Sequence, residues 1–133
     1  MAETVSKWSK DPSTRCGAVI VDSSKRILGL GYNGLPRGVE DTEERLHTRE
    51  LKYSLIVHAE VNAILNASTS VSGATLYVLP LAPCHECAKV VIQSGITTVI
   101  CPKMNHDIES RWSNSVRLTR EMFAEAGVLL REE

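Results

Sequence analysis

Between Cys16 and Tyr32 the chain carries two apolar runs separated by a single polar step. Cys16–Asp22 (CGAVIVD) and Arg26–Tyr32 (RILGLGY) read as strands, and the short Ser23-Ser24-Lys25 connection predicts an antiparallel hairpin. Upstream, Ala2 to Ser9 predicts a short helix, stopped by the Asp11-Pro12 turn. Downstream, Asn33–Gly38 (NGLPRG) carries glycines and a proline that no regular element accommodates, and reads as a loop. After Asp41 the pattern turns helical, with a helix containing His58 to Asn66. Ala74–Leu79 is a strand, Cys84–Gln93 a helix ended by Gly95, and Thr97–Cys101 a strand. Ser113–Ala126 is an amphipathic helix ended by Gly127, and Val128–Leu130 a last short strand. From Ala74 onward strands and helices alternate, which predicts parallel strands joined by helical crossovers. The expected fold is α/β: a single domain over residues 1–133, with a mixed sheet and helices on both of its faces.

Composition narrows what such a domain can do. The 15 basic and 16 acidic residues leave a formal net charge of −1, without the cationic surplus of a protein that lives on nucleic-acid phosphate. A small substrate and no stable nucleic-acid partner are expected. No apolar run reaches the length of a bilayer span, and Met1-Ala2-Glu3 leads into no signal-type apolar core. The expected location is the cytoplasm, with no membrane partner. In that setting the Cys84/Cys87 pair reads as metal ligation or redox chemistry before it reads as a disulfide. Cys16 and Cys101 sit in strand-like apolar runs, as small core residues do.

The chemistry concentrates where two predicted helices begin. His58-Ala59-Glu60 opens one, and Pro83-Cys84-His85-Glu86-Cys87 opens the other. Cysteines spaced i, i+3 project on one side of a helix, and a helix N-terminus favours thiolate over thiol. Two thiolates and one imidazole, from Cys84, Cys87 and His58, suit one Zn²⁺ per chain and leave one position open for water. His85 would point about 100° round the helix from either neighbouring cysteine, so it does not close the site. Glu60 can reach the open position without binding the metal, as a general base and acid must. H-x-E followed by P-C-x-x-C is the signature of zinc nucleobase deaminases. A zinc-stabilised binding module would need a fourth ligand and has no use for Glu60. A redox pair would show metal-free activity and a titratable disulfide.

HAEVNAIL (His58–Leu65), LYV (Leu76–Val78) and PCHECAKVVIQSGI (Pro83–Ile96) resemble the cytidine and deoxycytidylate deaminase superfamily. SKDPSTRCGAVIVD (Ser9–Asp22) and GYNGLPRG (Gly31–Gly38) are most similar to its deoxycytidylate (dCMP) branch. The resemblance implies a three-layer α/β/α cytidine-deaminase-like fold around a five-stranded mixed sheet. It also implies hydrolytic conversion of dCMP to dUMP and ammonia, with Glu60 as proton shuttle. Members of the family are commonly homohexamers, activated by dCTP with Mg²⁺ and inhibited by dTTP. The nearest rival within the same chemistry is a tRNA adenosine deaminase, which the near-neutral charge and the GYNGLP string disfavour.

Other positions have two readings. Asn62 is a capping or solvated amide, or, by the resemblance, part of the substrate pocket. Arg26, Arg37, Lys103, Arg111 and Arg117 are each at home on a solvated surface. Arg111 and Trp112 stand out as a cation and an aromatic ring able to face a nucleotide together. Asn33 and Gly34 serve a turn, or, by the resemblance, contact a nucleotide effector. His47 and His106 are expected to be solvated.

Overall fold

The computed structural model describes the backbone of all 133 residues and every side chain except that of Ile108. Its elements run α1 (Ala2–Ser6), β1 (Gly17–Val21), β2 (Ile27–Tyr32), α2 (Glu43–His47), α3 (Arg49–Leu55), α4 (Ala59–Asn66), β3 (Thr75–Leu79), α5 (His85–Gln93), β4 (Thr98–Cys101), α6 (His106–Ala126) and β5 (Leu129–Glu132). One mixed sheet has the order β2-β1-β3-β4-β5. β1 pairs antiparallel with both β2 and β3, whereas β3, β4 and β5 run parallel. The hairpin and the parallel run follow the expected α/β architecture.

The hairpin turn is held by Asp22. Its Oδ1 accepts from the backbone N–H groups of Ser24 and Arg26, and its Oδ2 from Arg26 Nε at 2.9 Å. Lys25, at φ 65°, occupies the left-handed position of that turn. The layers are uneven. α4, α5 and α6 form a contiguous group, and Ala18, Ile20, Leu76, Val78 and Val99 bury against it with Phe123 of α6. On the opposite face the five-residue α1 packs Val5 on Val19, and part of that face beyond it carries exposed Tyr77 and Leu129. No helix is long and apolar enough to cross a membrane among the described residues.

Two glycines in β2 set how closely α4 approaches. A Cβ on Gly29 would stand 2.3 Å from the carbonyl oxygen of Ala63, and one on Gly31 would stand 2.3 Å from Ala63 N and 2.4 Å from Ala59 O. The α4 backbone therefore lies directly on the strand, with alanines rather than larger side chains between them.

Several element boundaries differ from expectation, four of them for a clear local reason. His58 and Cys84 are N-caps with extended backbone (ψ 155° and 167°), one residue outside their helices. α6 begins at His106 instead of Ser113 and changes direction at Trp112 (φ −113°, ψ 15°). The first part of α6 is too polar for apolar periodicity to reveal it. β5 runs on to Glu132, where Glu132 Oε1 receives Arg120 Nη2 at 2.7 Å. At the end of α6 Gly127 takes φ 79°, and the Val128 N–H closes the helix on the Phe123 carbonyl at 2.9 Å.

Replacing Gly31 with alanine should force α4 off β2. An overpacking cost of about 1–3 kcal/mol is expected, measured as a lowered midpoint in urea unfolding. An unchanged midpoint would mean that α4 has room to spare.

Candidate metal centre and active site

As an N-cap with an extended backbone and no side-chain capping bond, His58 is free to turn its imidazole outward from α4. Cys84 caps α5 with its sulfur, which accepts from the Cys87 N–H at 3.4 Å. The two helix starts converge. His58 Nδ1 lies 3.1 Å from Cys87 Sγ and 3.5 Å from Cys84 Sγ. The three ligand atoms lie within 4.8 Å of one another, a grouping that no other set of His, Cys, Asp or Glu makes among the described residues.

The donor set fits Zn²⁺. Zinc–sulfur and zinc–nitrogen bonds of about 2.3 and 2.0 Å in a tetrahedron separate nitrogen from sulfur by about 3.5 Å. All four cysteines are free thiols. Hydrogen bonds from Cys87 and His58 hold the Cys84 thiol far below its ordinary range, at about 4. Cys87 is pushed the other way, by its hydrogen bond to Cys84 and by burial. Zinc takes up cysteines as thiolates, so binding here would release any proton that the two sulfurs hold. The hydrogen bond to Cys84 also raises the His58 imidazole.

Glu60, in the first turn of α4, is buried beside this group and outside it. Burial pushes its carboxyl up to about 7, partly opposed by its own backbone N–H and by His58. The same corner opens into a cavity of about 420 Å³. Cys16 lines that cavity rather than lying wholly in the core, and burial, with Glu60 nearby, pushes its thiol to about 12. Cys101 is buried in the core as expected.

The lining of the same cavity includes a polar knot centred on Asp11. Asp11 Oδ1 accepts from the backbone N–H groups of Ser13 and Thr14 and from Lys52 Nζ at 3.0 Å. Asn33 Nδ2 donates to Asp11 Oδ2 and to the Thr14 carbonyl, while Asn33 Oδ1 accepts from Cys16 N–H at 2.8 Å. Asp11 and Lys52 form a buried ion pair, with side chains 5% and 7% exposed. Arg49 and Tyr53 flank Lys52 on α3, with the Arg49 guanidinium 5.7 Å from the Tyr53 ring centre.

His58, Cys84, Cys87 and Glu60 come together, and Arg111 and Trp112 join the same cavity from the bend of α6. Asn62 goes elsewhere. Its Nδ2 donates to the Tyr32 carbonyl at 2.8 Å, because the glycine-thin contact with β2 brings that carbonyl within reach. Asn33 lines the cavity with its amide committed to the Asp11 knot. Gly34 gives both its N–H and its C=O to Val57, at 3.1 and 2.8 Å, and has no left-handed φ. His85 bonds Ser115, and His47 and His106 are exposed. Asp11, Arg49, Lys52, Tyr53 and Ser115 lie outside the sequence-based expectation. Arg49, Lys52, Tyr53 and Ile56 repeat at i, i+3, i+4 and i+7 just before His58, a stripe that marks one helix face and could have flagged them.

Residues 1–103 match the cytidine and deoxycytidylate deaminase zinc-binding region. The chain is 45% identical to a deaminase encoded in the luxG 3′ region of Aliivibrio fischeri, over 96% of this chain and 85% of that one. It is 43% identical to human deoxycytidylate deaminase, over 93% of this chain and 70% of the human one. A dCMP deaminase of cyanophage S-TIM5, solved with dCMP and dUMP, shares the fold at TM-score 0.77 and 24% identity, covering 99% and 90% of the two chains. A zinc corner of this kind, on this sheet, defines a hydrolytic deaminase. The chain belongs to the cytidine and deoxycytidylate deaminase family.

Lys52→Met should strand the buried Asp11 carboxylate. The three remaining N–H donors soften the loss, so the expected cost is about 3 kcal/mol, at the lower end for a broken buried pair. Adding Asp11→Asn should recover part of it. A single substitution that leaves the denaturation midpoint unmoved would show that the pair carries no such weight.

Proposed function

We propose that this protein hydrolyses dCMP to dUMP and ammonia in the cytoplasm. The observation that carries the reading is Glu60: a buried carboxylate beside a three-ligand His/Cys/Cys set, contributing no ligand to it. The names and similarity of its deoxycytidylate deaminase relatives support the choice of base and of a monophosphate.

His58, Cys84 and Cys87 would hold the zinc. When bound, Zn²⁺ lowers the pKa of a coordinated water toward neutrality and so supplies a nucleophile. Glu60 receives the proton that the water loses and delivers it to N3 of the cytosine as C4 becomes tetrahedral. It then carries the second proton to the 4-amino group, so that the C–N bond breaks with ammonia rather than amide ion as the leaving group. Val78, Leu81, Ala82 and Met104 supply apolar cavity wall suited to a pyrimidine ring. Trp112 offers an aromatic face at the bend of α6, and Arg111 and Arg49 bring positive charge to the same cavity from α6 and α3.

Control by dCTP with Mg²⁺ and by dTTP in a homohexamer belongs to the same reading and is supported by the resemblance of the Gly31–Gly38 loop. Asn33 and Gly34 spend their polar groups on Thr14, Cys16, Asp11 and Val57, so effector contacts in this loop would fall to residues 35–38.

Glu60→Gln should keep about one zinc per chain by atomic emission while kcat falls by about 10²–10⁴-fold, since a proton shuttle and no ligand is removed. His58→Ala and Cys87→Ala should lose the metal too. Substantial turnover by Glu60→Gln would rule out the shuttle.

Phosphate recognition makes a second expectation. Each charge-assisted hydrogen bond contributes about 1.5–3 kcal/mol, so kcat/KM for dCMP should exceed that for deoxycytidine by at least about tenfold. Arg111→Ala should shrink that ratio chiefly by lowering the dCMP value. Equal efficiency on the two substrates would redirect the assignment to free nucleosides.

A further inference from the structure

Cys84 is gripped from both sides by α6. Thr119 Oγ1 donates to the Pro83 carbonyl at 2.9 Å, and both Thr119 and Pro83 are fully buried. Ser115 Oγ accepts from the backbone N–H of His85 at 2.9 Å. The same oxygen lies 2.9 Å from His85 Nδ1 and donates its proton there when that nitrogen is unprotonated. Ser115 and Thr119 are four residues apart, hence one above the other on one face of α6. The peptide groups before and after Cys84 are thus tied to adjacent turns of a neighbouring helix.

The arrangement has a direct geometric meaning. Cys84 is an N-cap, outside the helical ladder of α5, and within α5 its backbone is held by its carbonyl, which accepts from Ala88 N–H at 2.8 Å. Rotation about its flanking bonds swings the sulfur relative to His58 Nδ1, and the two α6 hydroxyls oppose that rotation. The helix that supplies them also carries Arg111, Trp112 and Val116 into the cavity.

We propose that Ser115 and Thr119 are positioning residues for zinc, presetting Cys84 Sγ for ligation and tying the metal corner to the cavity wall of α6. The proposal rests on the zinc-site reading above. Its test is equilibrium competition for Zn²⁺ between a colorimetric chelator and the full-length protein loaded with one zinc per chain. The variants are Ser115→Ala, Thr119→Val and Thr119→Ser. Outer-shell partners of metal ligands typically govern affinity by 10–100-fold, so Ser115→Ala and Thr119→Val should each weaken zinc binding by about tenfold. Thr119→Ser restores the hydroxyl and should hold zinc nearly as tightly as the parent. Val71→Ala, a core truncation away from these bonds, serves as a control. It should lower thermal stability while leaving zinc affinity within about twofold. Should Thr119→Val not fold, Ser115→Ala, at a half-buried site, decides alone. Unchanged zinc affinity in Ser115→Ala, or an equal loss in Val71→Ala, overturns the positioning role and leaves the zinc site standing. A parent protein that takes up no stoichiometric zinc overturns both.

Discussion

A His58 nitrogen stands 3.1 Å from a Cys87 sulfur because α4 and α5, separated in sequence by β3, begin at the same corner of the sheet. That coincidence of two helix starts is what the other features serve. β2 supplies glycines where α4 must come close. β3 delivers the chain from beside β1 to the Pro83 turn, and α5 starts with the Cys87 N–H directed at the Cys84 sulfur. A helix start suits a thiolate for the same reason that it suits any anion, since N–H groups without intrahelical partners point at it. Move either helix by a turn and the ligand triangle is lost, although neither helix need unfold.

The grouping of His58, Cys84 and Cys87 was legible in the sequence as a candidate metal corner, because ligation requires short, chemically distinctive spacings. His58 and Glu60, and Cys84 and Cys87, each lie within one turn, and His58 and the two cysteines come within 4.8 Å of one another. The five-stranded order was legible in outline, since strand-helix alternation admits few connections. What escaped notice depends on partners far apart in the chain. Lys52 meets Asp11 across 41 positions, and nothing near either residue announces the other. Asn62 differs from Glu60 by two helical steps, about 200° of rotation, so it meets β2 while Glu60 meets the cavity. The first turns of α6 lack the apolar stripe by which an amphipathic helix is read, and so the start at His106 was invisible.

Two carboxylates are buried in the cavity lining under different terms. Every buried side-chain nitrogen and oxygen described has a hydrogen-bond partner. Asp11 is surrounded by donors and spans the segment after α1, the end of β2 and α3, which makes its charge an organiser of loops without regular structure. Glu60 lies in an environment that opposes its charge. A carboxylate that is fully compensated builds walls, and one that is poorly compensated is available for proton transfer.

The bend at Trp112 separates α6 into two stretches with different attachments. Beyond it, Ser115, Thr119 and Phe123 fasten the helix to the metal turn and the core. Before it, Glu109 is reached from the far stretch by Arg120 at 2.9 Å, and Arg120 also grips Glu132 on β5. Cavity wall is drawn from both sides of the bend, with Arg111 and Trp112 at it and Ser115 and Val116 just beyond. A helix bent and cross-tied in this way works as a truss: through Arg120, a displacement of the stretch before Trp112 is passed to the far stretch and to β5 together.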